Sequence, residues 1–69
     1  MTQAQLENNY TYHAPNDIQV GQYKEIREKA KELARLIESI GPESREKSIA
    51  MTHLETTVMW ANASIARNT

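Results

Sequence analysis

Residues 23–40 read YKEIREKAKELARLIESI, and this stretch decides the fold. Its apolar residues follow one another at steps of three and four positions, which places them on one face of an α-helix. The other positions are mostly Lys, Arg and Glu, which is typical of a solvated face. The apolar seam consists of Tyr23, Ile26, Ala30, Leu33, Ile37 and Ile40.

Local signals set the limits of this helix. Asn16 is a favourable N-cap, and Gln19 lies three positions later, as in a capping box. At the other end Gly41 can take the left-handed conformation that often closes a helix, and Pro42 cannot continue the same helix. We therefore predict a helix over residues 16–40.

A second helix is predicted over residues 43–67. Its seam again alternates by three and four, and comprises Ala50 or Met51, Leu54, Val58, Ala61 and Ile65. Because the connection at Gly41 and Pro42 is short, the two helices should form an antiparallel hairpin.

Residues 1–15 are polar and carry no helical stripe, so they are interpreted as a short N-terminal arm. Pro15 favours extended backbone at the residue before it. The predicted fold class is all-α, with residues 1–69 as a single helical domain made of this arm and a two-helix hairpin.

Composition indicates that such a hairpin needs partners. The chain has 69 residues and no cysteine, so neither a large core nor a disulfide can stabilise it. Met59 and Trp60 lie outside the seam and would leave a second apolar face uncovered. We therefore expect a compact homo-oligomer.

Several classes of function are disfavoured. A formal net charge of −1 argues against binding duplex nucleic acid, and no apolar run approaches the ~20 residues that span a bilayer. No secretory signal is apparent, so a cytoplasmic protein is expected. His13 and His53 are 40 positions apart and match no metal or catalytic spacing, so neither enzyme activity, a metal nor a cofactor is expected.

Binding a small nucleotide is better supported. Tyr10, Tyr12 and His13 lie within four residues, and Lys24 and Arg27 follow in the first long helix. Aromatic rings stack on nucleobases, while Lys and Arg neutralise phosphates. The alternative is that both tyrosines are hydrophobic anchors that hold the arm on the hairpin.

The run of small residues with Trp60 at positions 59–68 has two interpretations. It suits a close helix–helix interface between copies. It also suits a helical structural or regulatory module that binds a protein partner through the face of Met59 and Trp60.

Several motifs resemble the phage anti-CBASS cyclic-oligonucleotide sponge family. They extend over most of the chain after residue 10. They are Tyr12-His13-x-Pro15, Ile26-Arg27-x-x-Ala30, Pro42-x-Ser44-Arg45-Glu46-x-Ser48-x-Ala50, Leu54-Glu55, and Met59-Trp60-Ala61-Asn62-Ala63-x-Ile65-Ala66-Arg67.

The resemblance implies a helical protein that assembles as a compact hexamer in the cytoplasm of the infected bacterium. Members of this family sequester the cyclic oligonucleotide signals of CBASS immunity without cleaving them, and so block effector activation. Cyclic dinucleotides such as 3′,3′-cGAMP bind between protomers, and cyclic trinucleotides bind in separate pockets.

Carried onto this sequence, the resemblance implies that Tyr12 stacks on a base and Arg27 binds phosphate. Lys24 is the competing basic residue, Tyr10 is the alternative aromatic, and His13 accompanies them in the arm. The candidates for the trinucleotide pocket are Arg45, Asn62 and Arg67.

Overall fold

The computed structural model describes residues 1–69 and contains three helices. They are α1 (Gln3–Tyr10), α2 (Asp17–Ile40) and α3 (Arg45–Asn68). No strand is present, so the all-α class is confirmed. None of these helices has both the length and the apolar composition that a bilayer crossing requires.

The capping box at the start of α2 is present. Asn16 Oδ1 accepts a hydrogen bond from the backbone N–H of Gln19 at 2.8 Å, and Gln19 Oε1 accepts from the backbone N–H of Asn16 at 3.1 Å. At the other end the Gly41 N–H donates to the carbonyl of Ile37 at 2.9 Å.

The sequence had indicated a left-handed backbone at Gly41, but the structure differs. Gly41 ends α2 because only a glycine fits so close to the carbonyl of Ile37. Its φ is −80° and its ψ is 125°, which is extended geometry open to any residue. A methyl group added at Gly41 would lie 2.8 Å from the carbonyl oxygen of Ile37. The glycine is thus required for space at the helix end.

The expected two-helix hairpin is wrong in its number of helices, because α1 forms inside the predicted arm. Its cause is a local capping box: Thr2 Oγ1 accepts from the Gln5 N–H at 3.1 Å, and Gln5 Oε1 accepts from the Thr2 N–H at 2.8 Å. These bonds satisfy N–H groups that a helix start leaves without partners. Periodicity missed α1 because it has no apolar stripe.

Helices α2 and α3 pack side by side as an antiparallel pair. Ser44 caps α3, since its Oγ accepts from the N–H of Lys47 at 3.1 Å. Met51, Leu54 and Val58 are half-buried along the contact, whereas Ala50 is exposed. Met51 therefore occupies the first position of the α3 seam.

The protomer is a single layer of helices. Its dimensions are 45 × 29 × 13 Å, and the shortest is close to the diameter of one helix, about 10–12 Å. No apolar residue is buried, and Gln19, 7% exposed, is the only buried residue. The seams are therefore only half covered within one chain.

Lys47 stabilises the turn between α2 and α3. Its side chain is only 8% exposed, and Nζ lies 2.6 Å from Glu43 Oε1 and 3.3 Å from Glu38 Oε1. The hydrogen bond that Lys47 donates to Glu43 raises the pKa of Lys47 above its ordinary value of 10.5. Desolvation partly opposes this shift, and Glu38 supports it. The ammonium therefore joins the end of α2 to the start of α3.

Lys47→Met should lower the thermal unfolding temperature at pH 7, because it removes these contacts. The pKa of Lys47 is higher in the folded than in the unfolded protein. Its contribution to the free energy of unfolding is therefore complete below pH 10.5 and is lost as the pH rises through the raised folded-state pKa. The difference from the wild type should accordingly shrink at high pH. Lys29→Met, which removes only the exposed Lys29–Glu32 pair at 3.6 Å, is the control. Equal melting temperatures for both variants would contradict the expectation.

Candidate functional site

The aromatic side chains of the arm lie at its surface. Tyr10 ends α1, and Tyr12 belongs to the segment 11–16 that joins α1 to α2, which we name the Tyr12 loop. Tyr10 is 83% exposed and Tyr12 is 84% exposed, and neither hydroxyl makes a hydrogen bond. They do not anchor the arm within the protomer, so both rings are free to stack on a ligand.

His13 has a structural contact in the same loop. It is half-buried, and its Nε2 lies 2.7 Å from the backbone carbonyl of Asn8. Since a carbonyl oxygen only accepts, Nε2 carries the proton in this contact. The ring therefore closes the loop back onto α1 instead of pointing its Nε2 at a ligand.

Lys24 and Arg27 form an exposed basic pair on α2. They are three positions apart, so they share one face of the helix. The ion pairs of the protomer involve Lys29 and Lys47, and neither Lys24 nor Arg27 has an acidic partner. Both charges are available to an anion.

No hydrogen bond joins Tyr12 to Arg27 within one protomer. Tyr12 precedes α2, whereas Arg27 lies ten residues beyond the start of that helix, about 15 Å along its axis. This separation favours a site to which different copies of the chain contribute the two residues.

The trinucleotide candidates are spread along α3. Arg45 is its first residue and Arg67 lies in its last turn, about 33 Å away at 1.5 Å per residue. Asn62 is close to Arg67 in sequence, and its Oδ1 is buried without a hydrogen-bond partner. Five positions correspond to about 140° around the helix, so Asn62 and Arg67 lie on different faces of α3, and Arg45 lies at its other end.

Arg67 borders both cavities of the protomer. The larger has a volume of about 440 Å³ and lies between α1 and the end of α3, whereas the smaller, about 190 Å³, lies on α3. The larger is lined by Met1, Gln5, Asn8, Asn9, Arg67 and Asn68. The smaller is lined by Met59, Trp60, Ala63 and Arg67.

The amide side chains of α1 were missed by the sequence interpretation. Gln5, Asn8 and Asn9 face Arg67 across the larger cavity, and amides can both donate to and accept from nucleobases. The only available signal was the pair Asn8-Asn9 in a segment taken as an unstructured arm. Without α1, nothing placed that pair beside α3.

Met59 and Trp60 remain exposed on α3, at 69% and 66%. They are large apolar side chains on the face of α3 away from the seam. The structure contains no group of three or more His, Asp or Glu residues arranged to hold a metal ion.

Comparisons with known proteins identify the family. The model of the Acb2/Tad1 hairpin domain matches residues 2–66, nearly the whole chain. No curated protein and no solved structure matches. The match includes α1, α2 and most of α3, and so agrees with the resemblance found in the motifs. The chain thus belongs to the Acb2/Tad1 hairpin-domain family, the family of anti-CBASS cyclic-oligonucleotide sponges.

Proposed function

We propose that this protein binds cyclic oligonucleotide second messengers and withholds them, uncleaved, from CBASS effectors in the cytoplasm of a phage-infected bacterium. Its ligands are cyclic dinucleotides of the 3′,3′-cGAMP type and cyclic trinucleotides. Family membership across residues 2–66 carries this proposal.

The dinucleotide site is proposed to combine Tyr12 of one copy with Arg27 of another. Tyr12 is exposed in its loop, and Arg27 has no acidic partner. A cyclic dinucleotide offers flat bases to the ring and two phosphates to the guanidinium. Lys24 and Tyr10 are the alternative residues in the same roles.

Assembly as a homo-oligomer, with six copies as in the family resemblance, is part of the proposal. The protomer has no buried apolar residue, and its thickness is 13 Å. Joining copies would cover the exposed side of the seams and bring loops and helices of neighbouring chains together. Binding pockets at such junctions would present the same residues twice about a two-fold axis.

A second site is proposed for cyclic trinucleotides, with Arg67 and Asn62 as its candidate residues. Arg67 borders a cavity of about 440 Å³, and Asn62, which does not line that cavity, has a buried Oδ1 acceptor that lacks a donor. Arg45 would contribute only from another copy, given its distance along α3.

The mechanism is stoichiometric. A sponge lowers the free messenger below the concentration that its receptor needs, so it requires tighter binding than the receptor and sufficient protein. We propose no catalytic residue, because sequestration needs no bond to be broken.

The direct test is calorimetry of the purified protein with 3′,3′-cGAMP and, separately, with cyclic tri-adenylate. Binding with slow release is expected, and mass spectrometry after denaturation should recover each ligand at its original mass. A linear product would show cleavage. The absence of heat with every cyclic oligonucleotide would overturn the proposal.

The phosphate-binding residue can be identified by comparing two neutral variants. Arg27→Gln should weaken 3′,3′-cGAMP binding by about tenfold or more, because a charge-assisted contact of ~1.5–3 kcal/mol is lost. Lys24→Gln should have a smaller effect and leave the salt dependence of binding largely intact. The reverse order of the two effects, measured by titration calorimetry, would assign the role to Lys24.

The alternative function is a structural or regulatory module that binds a protein partner through Met59 and Trp60. The exposure of both side chains favours it. It differs from the sponge in a simple way: a protein would be captured by the wild type but not by Trp60→Ala, and neither Tyr12→Ala nor Arg27→Ala would alter that capture.

A further inference from the structure

Both ends of the Tyr12 loop are connected to the last turn of α3. Before the loop, Asn8 Nδ2 donates to the backbone carbonyl of Arg67 at 3.2 Å. After it, Gln19 Nε2 donates to Thr69 Oγ1 at 2.6 Å. These are the only hydrogen bonds in the protomer that join residues more than ten positions apart.

Asn8 and Gln19 each form a further hydrogen bond with a residue of the loop. The carbonyl of Asn8 accepts from His13 Nε2, one residue after Tyr12. Gln19 exchanges two hydrogen bonds with Asn16, the last residue of the loop. The loop is therefore fixed on both sides of Tyr12 by side chains that also hold α3.

Gln19 is the part of this arrangement that is least expected from stability alone. It is the only buried residue of the protomer, and burying a polar side chain is unfavourable unless its groups are bonded. Its Oε1 is bonded to the loop and its Nε2 to α3. A buried amide satisfied in this way fixes a unique arrangement of the elements it joins.

Tyr12 has no contact of this kind. Its side chain is 84% exposed and makes no hydrogen bond, so its position depends on the backbone of the loop. A loop that is already ordered loses less conformational freedom when a ligand binds, which strengthens binding without a new contact.

We propose that Asn8 and Gln19, acting on Arg67 and Thr69, are positioning residues that order the Tyr12 loop for cyclic dinucleotides. This inference rests on the proposed function, in which Tyr12 stacks on a base. Neither amide is a proposed contact of the cyclic dinucleotide, so the predicted effect of changing it is a less ordered Tyr12 loop.

Thr69 provides the cleanest test, because it is exposed at the end of α3 and is not a proposed ligand contact. Thr69→Val retains the shape of the side chain but removes the hydroxyl that accepts from Gln19, whereas Thr69→Ser keeps the hydroxyl. Thr69→Val should raise the Kd for 3′,3′-cGAMP about fivefold, the factor that the net strength of one ordinary hydrogen bond supplies. Thr69→Ser should bind like the wild type.

A second readout needs no ligand. Backbone ¹⁵N order parameters for the Tyr12 loop should stay near ~0.85 in the wild type and Thr69→Ser, and fall towards ~0.6 in Thr69→Val. Sedimentation should be the same for all three proteins, whereas Thr69→Val should melt at a somewhat lower temperature, because the buried Gln19 amide loses its acceptor. Lower affinity with unchanged assembly, and with lower order parameters in the Tyr12 loop alone, distinguishes positioning from a general loss of structure.

The outcomes separate this inference from the function on which it rests. A wild type that binds no cyclic dinucleotide overturns the proposed function and the role in binding, while the order parameters still show whether Thr69 holds the loop. If the wild type binds, equal affinity of Thr69→Val and Thr69→Ser overturns the inference. Unchanged order parameters in Thr69→Val overturn it as well.

Discussion

Tyr12→Ala should weaken binding of 3′,3′-cGAMP more than any other single change in the arm. Stacking on an aromatic ring contributes about 1–3 kcal/mol per base, which corresponds to roughly five- to 150-fold in Kd. If two copies of Tyr12 hold the two bases of one ligand, the substitution removes both stacking contacts and the losses multiply. Titration calorimetry at fixed salt measures the effect, because the phosphate contribution depends on ionic strength.

Matched variants show which part of the side chain matters. Tyr12→Phe keeps the ring and should bind within a few-fold of the wild type, since the hydroxyl makes no hydrogen bond in the protomer. Tyr10→Ala should leave affinity nearly unchanged if Tyr12 is the stacking residue. Sedimentation should show the same assembly for all variants. Full affinity in Tyr12→Ala, or full loss in Tyr10→Ala, would transfer the role to the other tyrosine.

Trp60→Glu should separate the copies and reduce the helix content of the chain. Trp60 is 66% exposed in the protomer and lies beside Met59, which is 69% exposed, outside the seam of α3. A contiguous exposed patch of this type marks an association surface, and a charge placed in such an interface is strongly unfavourable unless paired. Sedimentation velocity and far-ultraviolet circular dichroism, recorded at the same protein concentration, measure both effects.

Trp60→Phe is the control, because it keeps an apolar ring of smaller size. It should remain assembled with a modest loss of stability. If Trp60→Glu stays assembled and helical, the oligomer uses another face, and the surface of Trp60 becomes available to a protein partner instead. If the wild type itself sediments as a stable single chain, the proposed pockets between copies are excluded.

The sequence predicts α2 and α3 well, because both carry regular apolar seams and local end signals. The start and the end of α2 depend only on neighbouring residues, so both could be predicted without tertiary information. The start is set by the capping box of Asn16 and Gln19, and the end lies at Gly41. α1 was missed for the opposite reason. Its only strong signal is the capping box of Thr2 and Gln5, and its few apolar residues form no continuous stripe.

The candidate site was predicted less completely. Composition and spacing selected the tyrosines and the basic pair as candidates, and the structure adds that they are exposed and that the basic pair has no acidic partner. Their role in binding stays a prediction. The contacts of Gln19 could not be predicted in full, because its bond to Thr69 joins residues 50 positions apart. Such a bond depends on the relative length of α2 and α3 and on where the turn places their ends.

The layer of helices is only 13 Å thick, and the proposed assembly would therefore make folding depend on protein concentration. If apolar side chains find cover only in other copies, folding and assembly are one event, and the folded fraction depends on total concentration. Trypsin should then cleave a dilute sample faster than a concentrated one, at the same enzyme ratio. The proposed sponge would then accumulate only once its synthesis exceeds the turnover of unassembled chains.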